Sequence, residues 1–285
     1  QRQMCIRDSL ESPQGPKLLL KFFESGRYEA AERAEQALGT QGSTGLERAT
    51  YFSDRHKVMG LEWLPGELLS HVILAPDNRE CDKAALVELT GAALAELHSR
   101  ATSGLAKQSR ADEIRGLRAQ AVTICHLYPV LGKQAADLAE SVISSLDDVS
   151  AETTALHGDF YDKQVLFSDG NPVILDLDEA MLGHPATDLG LFIAHLERYR
   201  LNHRLSSQQV DLFADALVRG YQLVRPAPAQ GAIRLYAAIG LLHLAAEPFR
   251  YRDPNWREQM QNHLSHVDAM LERNPSSVPM RRATV

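Results

Sequence analysis

Apolar and polar positions divide the chain into a short β-rich part followed by a longer helical part. Residues 17–23 (KLLLKFF) form an apolar run with one internal lysine, which is typical of a buried strand. Residues 28–38 place apolar side chains at helical spacing, and residues 49–53 and 57–63 are apolar runs separated by a short polar turn. The first part is therefore predicted to contain one helix among several strands.

The longer part is predicted to be mainly helical. In residues 82–100, apolar side chains such as Leu86, Leu89 and Leu97 recur on one side of a helix. Further helices are predicted at residues 111–125, 133–145, 188–200, 207–224, 228–247 and 255–273.

One β-like segment interrupts the helical part. The apolar triplets at residues 165–167 and 173–175 flank the sequence Ser-Asp-Gly-Asn, which is a hairpin signature. The outer ends of a hairpin lie side by side, so polar residues next to these ends should converge. Asp159, Gln164 and Asp176 occupy such positions.

These patterns predict the α+β fold class and four segments. The segments are a disordered or artefactual stretch at 1–16, a small N-terminal part at 17–64, a helical part at 65–274 and a disordered tail at 275–285. The first nine residues lack the apolar core of a signal peptide. They resemble translated sequencing adapter, in which case the natural chain begins upstream. A genuine disordered tail is the alternative.

Composition narrows the class of protein. Of the 285 residues, 44% are hydrophobic and 24% are charged, as in ordinary globular proteins. No apolar run reaches the roughly 18 residues of a membrane span. The net charge of −7 disfavours nucleic-acid and anionic-membrane binding but is compatible with a cationic ligand. The three cysteines lack metal-ligand spacing, and their number fits a cytoplasmic protein.

The converging polar residues suit phosphoryl transfer. One carboxylate, Asp159, can orient a nucleophile and accept its proton. A second carboxylate, Asp176, and the carboxamide of Gln164 offer the oxygen ligands that Mg²⁺ prefers. Lys21, inside the first apolar strand, is the candidate to contact nucleotide phosphates.

The chain resembles the aminoglycoside phosphotransferase-like kinases, a family with the protein-kinase fold that includes choline kinases. The resemblance covers residues 17–273 and rests on His157-Gly158-Asp159, then Gln164, then Ile174-Leu175-Asp176. Residues 94–99 and 183–189 match as well. The resemblance implies a bilobal fold with a small, apparently truncated N-lobe and a mainly helical C-lobe.

The resemblance also implies the central roles. Asp159 corresponds to the catalytic base, and Asp176 to the principal Mg²⁺ ligand. Gln164 occupies the position of a family asparagine that binds the second metal ion. His157 and Asp188 correspond to residues that support the catalytic loop.

The nucleotide and acceptor residues follow in the same way. Lys21 corresponds to the phosphate-binding lysine, with Glu32 or Glu35 as its partner. Asp178 is the candidate contact to a cationic acceptor, whereas other acidic residues of the helical part are expected to face solvent: Glu197, Glu247 and Asp253. The hinge that would bond adenine contains Met59, Leu61, Glu62 and Leu64.

The implied activity is transfer of the γ-phosphoryl group of ATP or GTP, with Mg²⁺, to a hydroxyl group of a small molecule. Two departures leave an alternative open. Gln164 replaces the usual asparagine, and no glycine-rich hairpin precedes Lys21, since Gln14-Gly15 cannot supply one. Truncation would explain the second departure. The alternative is a nucleotide-binding or non-catalytic module of the pseudokinase type.

Overall fold

The structure is a computed structural model that describes residues 6–10, 17–38, 45–77, 79–100 and 103–272. The predicted tail at 275–285 and Gln14-Gly15 lie outside the described residues. The chain divides into two compact units. The first comprises Gln1–Lys107, Glu152–Asp188 and Asp211–Ala227, and the second comprises Gln108–Ala151, Leu189–Val210 and Pro228–Val285.

The first unit contains a four-stranded antiparallel sheet in the order β1-β2-β4-β3. Its strands are β1 (Ile6–Leu10), β2 (Leu18–Phe22), β3 (Ala49–Ser53) and β4 (Val58–Glu62). Strand β1 lies within the segment 1–16 that was expected to be disordered or artefactual, and the structure gives these five residues as a strand. Pairing with β1 satisfies backbone groups of β2 that would otherwise form an open sheet edge.

Helix α1 (Ser25–Leu38) follows β2 and buries Tyr28, Ala31 and Leu38, as its apolar spacing predicts. The ring of Phe23, just after β2, packs edge-on against Tyr28 with centroids 6.1 Å apart. This contact fixes where the helix starts relative to the strand that carries Lys21.

The predicted central hairpin is present and belongs to a three-stranded sheet in the order β5-β7-β8. Asp169 and Gly170 both have positive φ, 49° and 79°, as the tight turn between β7 and β8 requires. A two-stranded sheet of β6 and β9 brackets the hairpin in sequence. The strands are β5 (Glu67–Leu68), β6 (Thr154–Leu156), β7 (Val165–Ser168), β8 (Asn171–Ile174) and β9 (Met181–Gly183).

Three helices complete the first unit: α2 (Leu69–Leu74), α3 (Glu80–His98) and the part of α7 (Ser207–Gln222) that begins at Asp211. Helices α3 and α7 approach closely because glycines face the contact. A Cβ on Gly91 would collide with the carbonyl of Leu217, and one on Gly220 with the carbonyl of Glu88. Larger residues at either position would force the helices apart.

The second unit is helical. Helix α4 starts with a capping box in which Ser109 and Asp112 bond each other's backbone N–H groups. Its helices are α4 (Arg110–Leu127), α5 (Gly132–Ser145), α6 (Ala186–Leu201, from Leu189 on), α8 (Gln230–Leu244), α9 (Glu247–Arg250) and α10 (Trp256–Glu272). No helix in the described part of the chain is both long and apolar enough to cross a membrane.

One expectation about this unit is corrected. The side chains of Glu197 and Glu247 are only 16% and 19% exposed, because arginines on the same helices or their neighbours pair with them. The first unit contains residues on both sides of the expected junction at residues 64/65, and that junction stays a prediction. The first unit includes both the N-terminal sheet and the central hairpin, and Leu46 forms a parallel bridge with Ile174 of β8.

Candidate active site

Lys21 lies in the middle of β2 and is 1% exposed. Its Nζ donates hydrogen bonds to Asp176 Oδ1 at 3.0 Å and to Asp178 Oδ1 at 3.2 Å. Glu47 Oε2 lies 3.7 Å from the same nitrogen. A buried ammonium group is tolerated when carboxylates surround it in this way. The strand lysine and the hairpin carboxylate, 155 residues apart in sequence, therefore meet as expected.

The glutamate expected to pair with Lys21 is a different one. Glu32 accepts a hydrogen bond from the Tyr28 hydroxyl at 3.4 Å, one helical turn away. Glu35 is buried, accepts the Ala49 N–H at 3.3 Å and lies within electrostatic range of Lys21. The glutamate that the structure gives Lys21 as an ion-pair partner is Glu47, beyond the helix, and not the predicted Glu32.

Asp176 and Gln164 lie at the same end of the hairpin. Backbone N–H of Leu175 donates to the carbonyl of Gln164 at 2.9 Å, so the residues that follow β8 run beside those that precede β7. Gln164 is 8% exposed. Asp176 adopts a left-handed conformation with φ 63° and ψ 63°, which turns the chain away from the strand. The convergence expected from the hairpin is present for this pair.

The loop at residues 157–159 is hydrogen-bonded to the segment that carries Asp176. His157 Nδ1 accepts the Asp159 N–H at 3.2 Å, so Nε2 carries the proton and donates to the Leu175 carbonyl at 2.7 Å. Gly158 has φ 83°, and a Cβ there would collide with the carbonyl of Glu179. These contacts hold the loop that carries Asp159 against the segment that carries Asp176.

Asp188, at the start of α6, accepts hydrogen bonds from the backbone of this loop. Its Oδ2 accepts the His157 N–H at 2.7 Å and its Oδ1 accepts the Gly158 N–H at 3.0 Å. His98 Nε2 donates to Oδ2 at 3.0 Å, and the Tyr221 hydroxyl donates to His98 Nδ1 at 2.9 Å. Asp188 is fully buried, and this network is what makes its burial tolerable.

The pKa values of two buried site carboxyl groups shift in opposite directions. Burial, with the nearby Asp176, raises the pKa of Asp178 well above its usual range, although Lys21 works against this. Burial would also raise the pKa of Asp188, but the hydrogen bonds from His98 and from the His157 backbone hold it below its usual range. The pKa of Asp188 thus lies below its usual range, whereas that of Asp178 lies above it.

Asp178 was predicted to contact a cationic acceptor, but the cation it bonds is Lys21. The short helical turn at Leu177–Glu179 directs the side chain back toward β2. Arg27 of α1 pairs with Glu179 of the same turn. This turn is therefore fixed to α1 and β2.

The expected hinge is only partly where it was placed. Met59 and Leu61 lie inside β4, whose backbone is paired with β2 and β3 on its two sides. Glu62 is the last residue of the strand, and Leu64 lies beyond it. Trp63 N–H bonds the carbonyl of Lys17 at 3.0 Å, so pairing with the chain around β2 continues to the end of the predicted strand at residues 57–63. Glu62 and Leu64 remain the predicted adenine contacts.

The donor set suits a hard divalent cation. Asp176, Asp178 and Gln164 offer oxygen atoms, and Mg²⁺ in nucleotide sites is commonly held by one or two carboxylates together with phosphates and water. Among the described residues, no group of three or more histidine, cysteine, aspartate or glutamate side chains forms a metal cage by itself. The residues that could hold a divalent cation here are therefore those oxygen donors, Asp176, Asp178 and Gln164.

Comparison with known proteins decides the family. The sequence model of the phosphotransferase enzyme family matches residues 10–236, most of the chain. The chain belongs to this family. Comparison with proteins of curated function gives no significant match.

Solved structures agree on the fold. A choline/ethanolamine kinase family protein from Mesorhizobium loti has a TM-score of 0.62 at 16% identity, over 90% of this chain and 83% of that one. The macrolide 2′-phosphotransferase MphH from Brachybacterium faecium has a TM-score of 0.60 at 16% identity, over 92% and 89%. The amicoumacin kinase hAmiN has a TM-score of 0.67 at 10% identity, over 92% and 84%. The predicted protein-kinase-like α+β fold is confirmed.

Three residues of the site were not found by sequence reasoning. Glu47 follows a polar loop and carries no periodic signal. His98 was part of a recognised motif but had no assigned role, and Tyr221 lies in an ordinary amphipathic helix. Each of these residues bonds partners that are far away in sequence. The hydroxyl of Tyr221, for example, bonds His98, which is 123 positions away.

Proposed function

We propose that this protein is a small-molecule kinase that transfers the γ-phosphoryl group of ATP, or of GTP, to a hydroxyl group. The observation that carries the proposal is the junction of three chain segments at one point. Lys21 bonds Asp176 and Asp178, and His157 bonds the residue preceding Asp176 while holding the loop of Asp159. Membership of the phosphotransferase family supports the same reaction.

The proposed mechanism assigns a task to each side chain. Asp159 orients the acceptor hydroxyl and takes its proton as the oxygen attacks the γ-phosphorus, while the bond from that phosphorus to the bridging oxygen of ADP breaks. Lys21 binds α- and β-phosphate oxygens and limits their movement. Asp176 and Gln164 would hold Mg²⁺, which when bound neutralises charge on the phosphates. Alignment and electrostatic stabilisation supply most of the rate enhancement.

The acceptor is proposed only as a class. The net charge of −7 accommodates a cationic hydroxyl compound such as an aminoglycoside or choline, and equally a neutral sugar. The proposed compartment is the cytoplasm, where ATP and Mg²⁺ are supplied. Cys81 and Cys125, both free and exposed, suit its reducing conditions.

The first test is a thermal-shift titration with Mg²⁺ and ATP or GTP, comparing the wild type with Asp176→Ala. A ligand that binds only the native state adds RT ln(1 + [L]/Kd), about 2.7 kcal/mol at a hundredfold excess over Kd. We expect a Mg²⁺-dependent rise in Tm that the variant lacks. Absence of any shift with either nucleotide in the wild type would contradict the proposal.

The second test separates a kinase from a non-catalytic nucleotide-binding module. In an acceptor screen read by ADP release, Asp159→Asn should lower turnover by about 10²–10⁴-fold, because proton transfer to a positioned base contributes that much. Nucleotide affinity should stay near the wild-type value. Asp169→Asn, at the exposed hairpin turn, is the matched control. Nucleotide binding without turnover on any acceptor would favour the non-catalytic module.

A further inference from the structure

Glu47 is a buried carboxylate that connects two parts of the candidate site. It is 7% exposed, and its Oε2 accepts the backbone N–H of Asp176 at 3.0 Å. The same oxygen lies 3.7 Å from Lys21 Nζ. Glu47 therefore contacts the main chain of the expected metal ligand as well as the side chain of the expected phosphate ligand.

The backbone of Glu47 is fixed by the strand that leads to Asp176. Its N–H donates to the carbonyl of Ile174 at 2.8 Å, and the N–H of Ile174 donates to the carbonyl of Gly45 at 2.9 Å. Leu46 and Ile174 form a parallel bridge between these bonds. Because two backbone bonds set the position of Glu47, its carboxylate is held close to the residues that follow β8.

The N–H that Glu47 accepts belongs to a residue in a disfavoured conformation. Asp176 has φ 63° and ψ 63°, a left-handed geometry that residues other than glycine adopt infrequently. A charged acceptor on its N–H stabilises that geometry, since hydrogen bonds to a carboxylate are stronger than bonds between neutral groups. The direction in which the Asp176 side chain leaves the backbone depends on this turn.

We propose that Glu47 is a positioning residue that holds Asp176 in its left-handed conformation and so orients the carboxylate toward Mg²⁺. The inference rests on the proposed function, because it concerns how that site is assembled. It differs from the expectation for Glu32 and Glu35, which would act on Lys21 from helix α1. Glu47 lies outside this helix, and it bonds the backbone N–H of Asp176, the expected metal ligand.

Two variants separate the hydrogen bond from the volume of the side chain. Glu47→Met keeps a similar volume but removes the strong acceptor, whereas Glu47→Gln keeps an amide oxygen that can accept the Asp176 N–H. The probe is Mg²⁺ with the ATP analogue AMP-PNP, and the measured quantity is the Mg²⁺ concentration that gives half of the thermal shift. Glu29→Met, at a largely exposed carboxylate of α1, is the control.

We expect Glu47→Met to raise the half-saturating Mg²⁺ concentration about tenfold or more, as for loss of a hydrogen bond to a charged group. Glu47→Gln should stay within about threefold of the wild type, and Glu29→Met should be unchanged. Without metal or nucleotide, hydrogen exchange at the Asp176 amide should be faster in Glu47→Met but not in Glu47→Gln.

Wild-type Mg²⁺ dependence in Glu47→Met would overturn the proposal, and so would equal impairment in Glu47→Met and Glu47→Gln. If Glu47→Met does not fold, Glu47→Asp replaces it, because the shorter side chain withdraws the acceptor, and the same criteria apply. Absence of any Mg²⁺-dependent shift in the wild type would instead refute the proposed function. The two failures are therefore distinguishable.

Discussion

Two carboxylate–histidine clusters, one in each compact unit, use the same chemistry for different purposes. In the first unit, His98 donates to Asp188 at 3.0 Å, and in the second, His266 Nε2 donates to Glu197 at 3.0 Å while Arg200 donates to it at 2.7 Å. In both clusters these polar partners hold the pKa of the carboxyl group below its usual range, although burial acts in the opposite direction.

The difference lies in what else the carboxylate bonds. Asp188 also accepts the backbone N–H groups of His157 and Gly158, so it fixes the main chain of the loop that carries the candidate base. The bonds that the structure gives Glu197 come from side chains of α6 and α10, which join two helices. Asp188 therefore positions the loop at residues 157–159 by holding its backbone, whereas the bonds described for Glu197 connect side chains.

The largest expected effect is that of Asp188→Asn. Removing one partner of a buried, bonded charge network typically lowers the free energy of unfolding by about 3–5 kcal/mol. Hydrogen exchange at residues 157–159 should also become faster, because two backbone N–H groups lose their charged acceptor. Chemical denaturation and exchange mass spectrometry measure the two effects. Unchanged hydrogen exchange at residues 157–159 would show that Asp188 does not hold this loop, and the contrast with Glu197 would fail.

A third buried group, His263 of the helical unit, should make the free energy of unfolding depend on pH under acidic conditions. Burial lowers the pKa of His263 from 6.5 to about 4, with the bond from its Nδ1 to the Gln259 carbonyl opposing this. Because the unfolded state takes up the proton first, stability is lost as the pH falls from 6.5 toward 4. The loss amounts to roughly 3 kcal/mol at about 1.4 kcal/mol per pKa unit.

His263→Gln should therefore flatten the pH dependence of unfolding in that window. The carboxylates act in the window below it, since a lowered pKa means that their stabilisation is present above the ordinary pKa and lost as the pH falls through the folded value. Denaturant titrations at half-unit pH steps separate the two. An unchanged slope above pH 4 would contradict the assignment to His263.

A smaller effect is expected for Glu197→Gln. The side chain is 16% exposed and bonded by Arg200 and His266, so the free energy of unfolding should fall by about 1–2 kcal/mol. Hydrogen exchange at residues 157–159 should match the wild type, because the bonds described for this carboxylate come from side chains of α6 and α10. Faster exchange there would show that the two clusters are not functionally distinct.

The smallest effect is expected for Glu140→Gln. Glu140 pairs with Arg118 at 2.7 Å, but the two side chains are 54% and 59% exposed. Exposed ion pairs contribute little because water and salt screen them. Tm should be indistinguishable from the wild type, which makes this variant the baseline for the other three. A clear fall in Tm would mean that charge alone, without burial, explains the other clusters.

Sequence periodicity was sufficient to predict the long helices. Helices α3, α4, α5, α7 and α10 lie within a few residues of their predicted bounds, because a dozen or more residues repeat one apolar face. The short elements β5, β6, β9 and α2 were missed, since each has two to six residues and too few positions to show a period. Their formation depends on partners distant in sequence.

The sequence by itself determined the family, the fold class and the residues with distinctive chemistry in a recognisable order: Lys21, Asp159, Gln164, Asp176 and Asp188. The tertiary structure alone decided which groups pair with them. It placed Glu47, rather than Glu32, beside Lys21 and directed Asp178 toward the lysine. Spacing along one segment is a local property that sequence records. Pairing between buried charges depends on how backbones from separate segments meet, which no single segment contains.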